Sequence, residues 1–282
     1  MMQSLLTRKT KLLITIWVVT LGWWIAMALT HTKYTEWNYW YQVLLAVIPL
    51  TGGLFGFLNS RKWGGLKSRL GQATFFIAAG LTTWGLGQCY WSYATIRQLT
   101  EVPYPSWADV GYIVSWPLWT IGIILLAMAA GARFSLRKHA PLKLYSGVFG
   151  LAVVIIALSY YLLIVVARHG LALYGEGPTR LFFDLAYPIG DVVILTIAAL
   201  TYTFLYRYLG GRYRAGIGLI ICAYGLNYLT DFTFSYVTTA NTYYNGHFVD
   251  LMFPTVMTVL SVGLATLEPP KVAMPATEST SN

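Results

Sequence analysis

Asp184-Leu185-Ala186-Tyr187-Pro188-Ile189-Gly190-Asp191 opens an apolar run that continues without a further charge to Tyr206. An acid, a ring three residues later and a proline stand where a segment long enough to cross hydrocarbon begins, a crossing that takes about 20 residues. The same order recurs at Asn38–Tyr41 with Pro49, at Asp109–Tyr112 with Pro117 and at Asp250–Phe253 with Pro254. From ring to ring the spacing is 71, 75 and 66 residues. A short polar signature at a near-constant period reads as one helical hairpin copied four times.

Composition requires an apolar phase around those helices. Of 282 residues, 57% are hydrophobic and only 10% are charged, against about 25% charge in a soluble domain. That is too little charge to cover a soluble surface, so the chain reads as an all-α, polytopic integral membrane protein. Eight stretches are expected to span: 12–29, 41–58, 73–93, 110–130, 145–167, 184–206, 215–237 and 249–267. The first follows Arg8, Lys9 and Lys11 but is too long for a signal-peptide core. Thr30-His31-Thr32 also offers no small-residue cleavage site, so it reads as a retained helix. The expected plan is a single eight-helix transmembrane domain over 1–267 and a short polar tail over 268–282.

Charge sets the orientation. The N-terminal tail, the even-numbered connections and Lys271 hold 15 of the 19 basic residues. They include Lys9, Lys11, Arg61, Lys62, Lys67, Arg69, Arg133, Arg137, Lys138, Lys143, Arg207, Arg212 and Arg214. The other side has only Lys33, Arg97, Arg168 and Arg180. Basic loops stay cytoplasmic, which places both termini inside a cell membrane crossed many times. The net charge of +9 is therefore a topology signal. A nucleic-acid partner is not expected, because such a protein clusters its cations on one folded face.

Polar stripes inside the spans mark the candidate site. Asp184, Tyr187, Pro188 and Asp191 fall at i, i+3, i+4 and i+7, one face of a helix. Tyr224, Asn227, Tyr228 and Asp231 make a second such face, and Gln88 offers an amide on the third span. Asn38, Asp109, Asp184 and Asp250 sit where helices are expected to start, so capping explains them. Asp191 and Asp231 lie too deep for that. Ionisable groups at such depth are costly and mark sites. The expected ligand-binding set is Asp191, Asp231, Asn227, Tyr187, Tyr228, Gln88 and Tyr224, around an acidic, aromatic-walled cavity open to the outside. The prolines are expected to free carbonyls that a Tyr or water must satisfy.

Other chemistries lack their residues. His31, His169 and His247 fall in loops without HExxH or CxxC, so no metal is expected. Neither a nucleophile constellation nor a glycine-rich phosphate loop is present, and no enzymatic activity or cofactor is expected. The last three spans hold no lysine for a retinal Schiff base. Cys89 and Cys222 are too far apart in register for a disulfide and read as small packing residues.

Pro103-Tyr104-Pro105-Ser106-Trp107-Ala108-Asp109-Val110-Gly111-Tyr112 resembles the P-x-P-S-x-A-D-x-x-Y element of polytopic input domains in bacterial signalling proteins. In those proteins a bundle of seven or eight helices precedes a diguanylate cyclase or a histidine kinase. Residues 183–191 and 250–254 are similar to the same element. The resemblance implies a membrane-embedded sensory module over 12–267, here without an output domain in the chain. Its expected partners are the lipid bilayer, a small molecule from the outer side and a signalling protein docked on the basic cytoplasmic loops. A structural subunit and a proton- or cation-coupled transporter are the alternatives.

Overall fold

The computed structural model describes residues 7–98, 102–129, 142–170, 177–205 and 213–269. Among them are eight long helices: α1 (Arg8–Leu29), α2 (Glu36–Lys62), α3 (Arg69–Gln98), α4 (Trp107–Ala129), α5 (Leu142–Ser159), α6 (Pro178–Leu205), α7 (Arg214–Thr239) and α8 (Val249–Thr266). A π-helical stretch, Tyr160–Ala167, extends α5. Among the described residues each expected span lies on one helix to within a residue, the fifth running from α5 into its π-helical extension. Seven of them are long and apolar enough to cross a membrane, as in a multi-pass membrane protein. The exception is α3, whose apolar run is diluted by Gly, Thr and Gln. It can tolerate them because it packs between α2 and α4. Of the basic residues that set the expected topology, Arg133, Arg137, Lys138, Arg207, Arg212 and Lys271 lie outside the described residues, as does most of the 268–282 tail.

The helix starts follow local chemistry. Asn38 Oδ1 accepts the Thr35 N–H at 3.2 Å, and Thr35 and Asn38 form a capping box at the head of α2. At α4, Asp109 Oδ2 takes the Ser106 N–H at 2.6 Å, and Ser106 Oγ takes the Ala108 N–H at 3.2 Å. At α8, Asp250 Oδ2 takes the Gly246 N–H at 2.7 Å. Asp184 departs from the expected cap. α6 begins at Pro178, a residue suited to the first helical position, so Asp184 sits inside the helix.

Six helices close a circuit: α2 packs on α3, α3 on α4, α4 on α6, α6 on α7, α7 on α8, and α8 back on α2. α1 lies outside against α2 and α8, and α5 outside against α6 and α7. Glycine makes the tightest approaches possible. A Cβ on Gly111 would fall 2.7 Å from the Gly87 backbone, so α3 and α4 meet main chain to main chain. A Cβ on Gly190 of α6 would fall 1.9 Å from the Trp116 ring of α4.

Near the termini the circuit is filled by a continuous apolar core that includes Ile77, Ile123, Leu126, Ile217, Ile220, Leu260 and Leu264. A polar tie closes that end. Lys9 Nζ donates to Asn59 Oδ1 at 2.7 Å, and Asn59 Nδ2 donates to the Leu264 and Ala265 carbonyls at 3.0 and 3.1 Å. Those are carbonyls of the last turn of α8, which has no further helical donors. Lys62 and Lys9 both pair with Glu268. The Lys62 hydrogen bond, helped by the charge of Lys9, holds the Glu268 carboxyl below its usual range. Cys89 and Cys222 are unpaired, and both are exposed instead of packed.

Candidate functional site

At the end of the bundle away from the termini, the circuit encloses a cavity of about 750 Å³. Its walls come from α2, α3, α4, α6, α7 and α8, with Leu163 and Arg168 added from the π-helical end of α5. π-helical turns recur at functional sites because they re-aim side chains.

Gln42 on α2 is the junction of one wall. Its Nε2 donates to Asp250 Oδ2 at 2.6 Å, and its Oε1 accepts from Gln88 Nε2 at 3.1 Å. Gln88 Oε1 in turn accepts from the Tyr112 hydroxyl at 2.7 Å. These bonds run in one direction, from a phenol on α4 through amides on α3 and α2 to a carboxylate on α8. Asp250 also receives the Tyr243 hydroxyl at 3.2 Å. On the facing wall, Asp109 Oδ1 accepts the Tyr187 hydroxyl at 2.7 Å, bridging α4 to α6. Asp184 Oδ1 accepts the Tyr104 hydroxyl at 2.9 Å. Burial, reinforced by the Asp184 hydrogen bond, holds the Tyr104 phenol well above its usual range, so it serves as a neutral donor.

The prolines take part in this wiring. A proline inside a helix cannot donate to the carbonyl four residues back. For Pro188 that carbonyl is Asp184 O, which accepts from Arg168 Nη1 at 2.9 Å. For Pro254 it is Asp250 O, which accepts from the Tyr41 hydroxyl at 3.3 Å. Both freed acceptors are thus met by donors from neighbouring segments.

Deeper on α6 and α7, Asp191 and Asp231 meet carboxyl to carboxyl, with Arg168 as a positive charge acting on Asp191. Asn227 Nδ2 donates to Asp231 Oδ2 at 2.7 Å. Aromatic rings complete the walls. Trp84 lies between Tyr112 and Phe253, at 5.2 and 5.9 Å between centroids, and Trp116 meets Tyr187 at 6.2 Å. Trp119 contributes to the lining, with Tyr224 packed against it at 6.0 Å.

Five of the seven residues expected from sequence line this space: Gln88, Tyr187, Asp191, Asn227 and Asp231. Tyr224 and Tyr228 are not in its wall. Tyr224 is one turn further along the α7 stripe and buried against Trp119, and Tyr228 lies in the next column, toward Ser159 of α5. Two residues read as caps, Asp109 and Asp250, do both jobs and face the cavity. Sequence reasoning missed Gln42, Tyr104, Arg168 and Arg180. Gln42 had a signal, being the lone amide in the apolar run after Tyr41. The two arginines had a weaker one, as part of the basic minority on their side. Among the described residues no three His, Cys, Asp or Glu side chains converge as metal ligands would.

No family model, curated protein or solved structure matches this chain. The ground for assigning a function is therefore the chemistry of the cavity.

Proposed function

We propose that the chain is a cell-membrane sensory module that binds a small molecule from the outer side and signals to a separate partner. In this reading the helices form four repeated hairpins, both termini are cytoplasmic and the cavity opens outward. The observation that carries it is the cavity of about 750 Å³, within the range of small-molecule sites, holding the Asp191–Asp231 pair among aromatic rings. The partner would dock on the basic end, where Arg8, Lys11, Arg61, Lys67, Arg69 and Arg214 are exposed. Ligand binding would favour one arrangement of α6 and α7 over another and so change what that end presents. Transport fits less well, because among the described residues the apolar core on the terminal side leaves no continuous polar path of the kind relays use.

The test combines thermal unfolding in detergent across a small-molecule panel with proton flux in liposomes, for the wild type, Asp191→Asn and Asp231→Asn. A sensor gives ligand stabilisation that both variants lose, with no flux. Flux that depends on either acid would replace this reading with a transporter. Absence of both signals would leave a structural subunit.

A further inference from the structure

Arg180 opens the polar stripe of α6, one turn ahead of Asp184 and on the same face as Tyr187 and Asp191. It lines the cavity. Among the described residues it has no ion pair and no hydrogen bond. Its described partner is the Tyr104 ring, 5.7 Å from the guanidinium carbon. A ring face attracts the charge but accepts no ordinary hydrogen bond. The Nε–H of Arg180 is shut off from water and has no acceptor. A guanidinium keeps its charge wherever it sits, and a buried donor without a partner is rare and costly.

The other charges of the wall are matched within the protein. Asp109 accepts from the Ser106 N–H, the Ser106 hydroxyl and the Tyr187 hydroxyl. Asp250 accepts from Gln42, Gly246 and Tyr243. Asp191 and Asp231 share a hydrogen bond between carboxyl groups, which needs a proton between them, so the pair holds at most one negative charge. Arg168 supplies the opposite charge beside Asp191. Along α6 that pair lies about 16 Å from Arg180, too far to be its counter-charge.

The unmatched group is therefore a cation, and it calls for an acceptor with a negative charge. The edge of a guanidinium presents two parallel N–H groups that fit a carboxylate or a phosphate. A single cation matches a single negative charge, whereas a phosphate monoester carries nearly two. The rest of the wall, with Trp84, Val102, Trp116, Leu163, Phe234 and Phe253, suits an apolar body.

Resting on the small-molecule reading above, we propose that the ligand is an amphipathic carboxylic acid bound as its anion. Its carboxylate lies on the Nε edge of Arg180, and its apolar or aromatic body extends inward along the rings toward the Asp191–Asp231 pair.

Four probes test the head group: 4-phenylbutanoate, its neutral amide 4-phenylbutanamide, 4-phenylbutylamine and dibutyl phosphate. Each is titrated at neutral pH into the intact protein in a non-ionic detergent and followed by tryptophan fluorescence. The carboxylate is expected to bind about 10-fold or more tightly than the amide, the scale of a charge-assisted hydrogen bond. In Arg180→Gln it falls to the level of the amide. Arg180→Lys recovers part of the difference, because it keeps the charge and loses the planar edge. The comparison among probes on the wild type stands even where a variant fails to fold. Equal or tighter binding of the amide or the amine overturns the anion assignment while leaving a small-molecule site. Tighter binding of the phosphate diester overturns the carboxylate in favour of a lipid-like head group. A carboxylate preference that persists in Arg180→Gln overturns the role of Arg180. Binding of none of the four overturns the site and the assignment together.

Discussion

Gln42 shows how one amide can set the energetics of a wall. It is 1% exposed and serves the Asp250 carboxylate and the Gln88 amide at once. Gln42→Leu keeps the apolar volume and removes both partners, leaving buried polar groups unmet at about 1–3 kcal/mol each. Tyr112→Phe removes only the outer end of the same series and is expected to cost about 1 kcal/mol. Thermal unfolding in detergent should rank the two in that order, and a smaller loss in Gln42→Leu would mean that Gly246 and Tyr243 alone satisfy Asp250. At this scale the sequence was legible where a residue type states its own environment. Asp191, Asn227 and Asp231 are polar at helical spacing inside apolar runs, and all three line the cavity. Tyr224 lies outside the wall because spacing identifies a face but not where along the helix a cavity ends, and Tyr228 because a polar face two columns wide need not turn its whole width to the cavity.

Between elements the decisive contacts are those of the smallest residues. The hydrophobic effect does not drive helices together within lipid, so close backbone approach and hydrogen bonds must. At the α3–α4 crossing a methyl on Gly111 would meet Gly87 main chain and the Thr83 carbonyl, each at 2.7 Å, and backbone cannot rotate away. Gly111→Ala is therefore expected to destabilise by about 1–3 kcal/mol, the cost of overpacking. Gly218→Ala on α7 is the control, because its Cβ meets nothing within 4 Å and alanine favours helix by about 1 kcal/mol. A lower melting temperature for the control than for Gly111→Ala would refute the crossing. The eight helices could be counted from sequence because each carries a long, largely apolar run, seven of them long and apolar enough to cross a membrane and α3 less apolar than the rest. The circuit they form could not, since a 3.6-residue period says which face is buried and not which helix covers it.

As a whole the molecule has two differently built ends, and acid should distinguish them. In the loop before α8, His247 packs against Tyr244 and Phe248, and burial followed by the charge of Lys33 lowers its pKa. A lowered value means that its share of stability is complete above about 6.5 and declines as pH falls through the folded-state value. At the other end Glu268 is also lowered, by Lys62 first, so its share is complete above about 4.5 and is lost as pH falls further. Melting temperature against pH should decline in two windows. His247→Gln should flatten the upper one and Glu268→Gln the lower, and an unchanged profile in either variant would remove that residue from the account. Residue 190 has a wider consequence. Trp116 can lie against α6 only because that position carries no side chain, and Trp116 is also part of the cavity wall. The bore of the chamber is thus gauged from behind by a residue that is not itself part of its wall. A single methyl group added there would press the ring forward and narrow the chamber, with every acid and arginine of the wall left where it is.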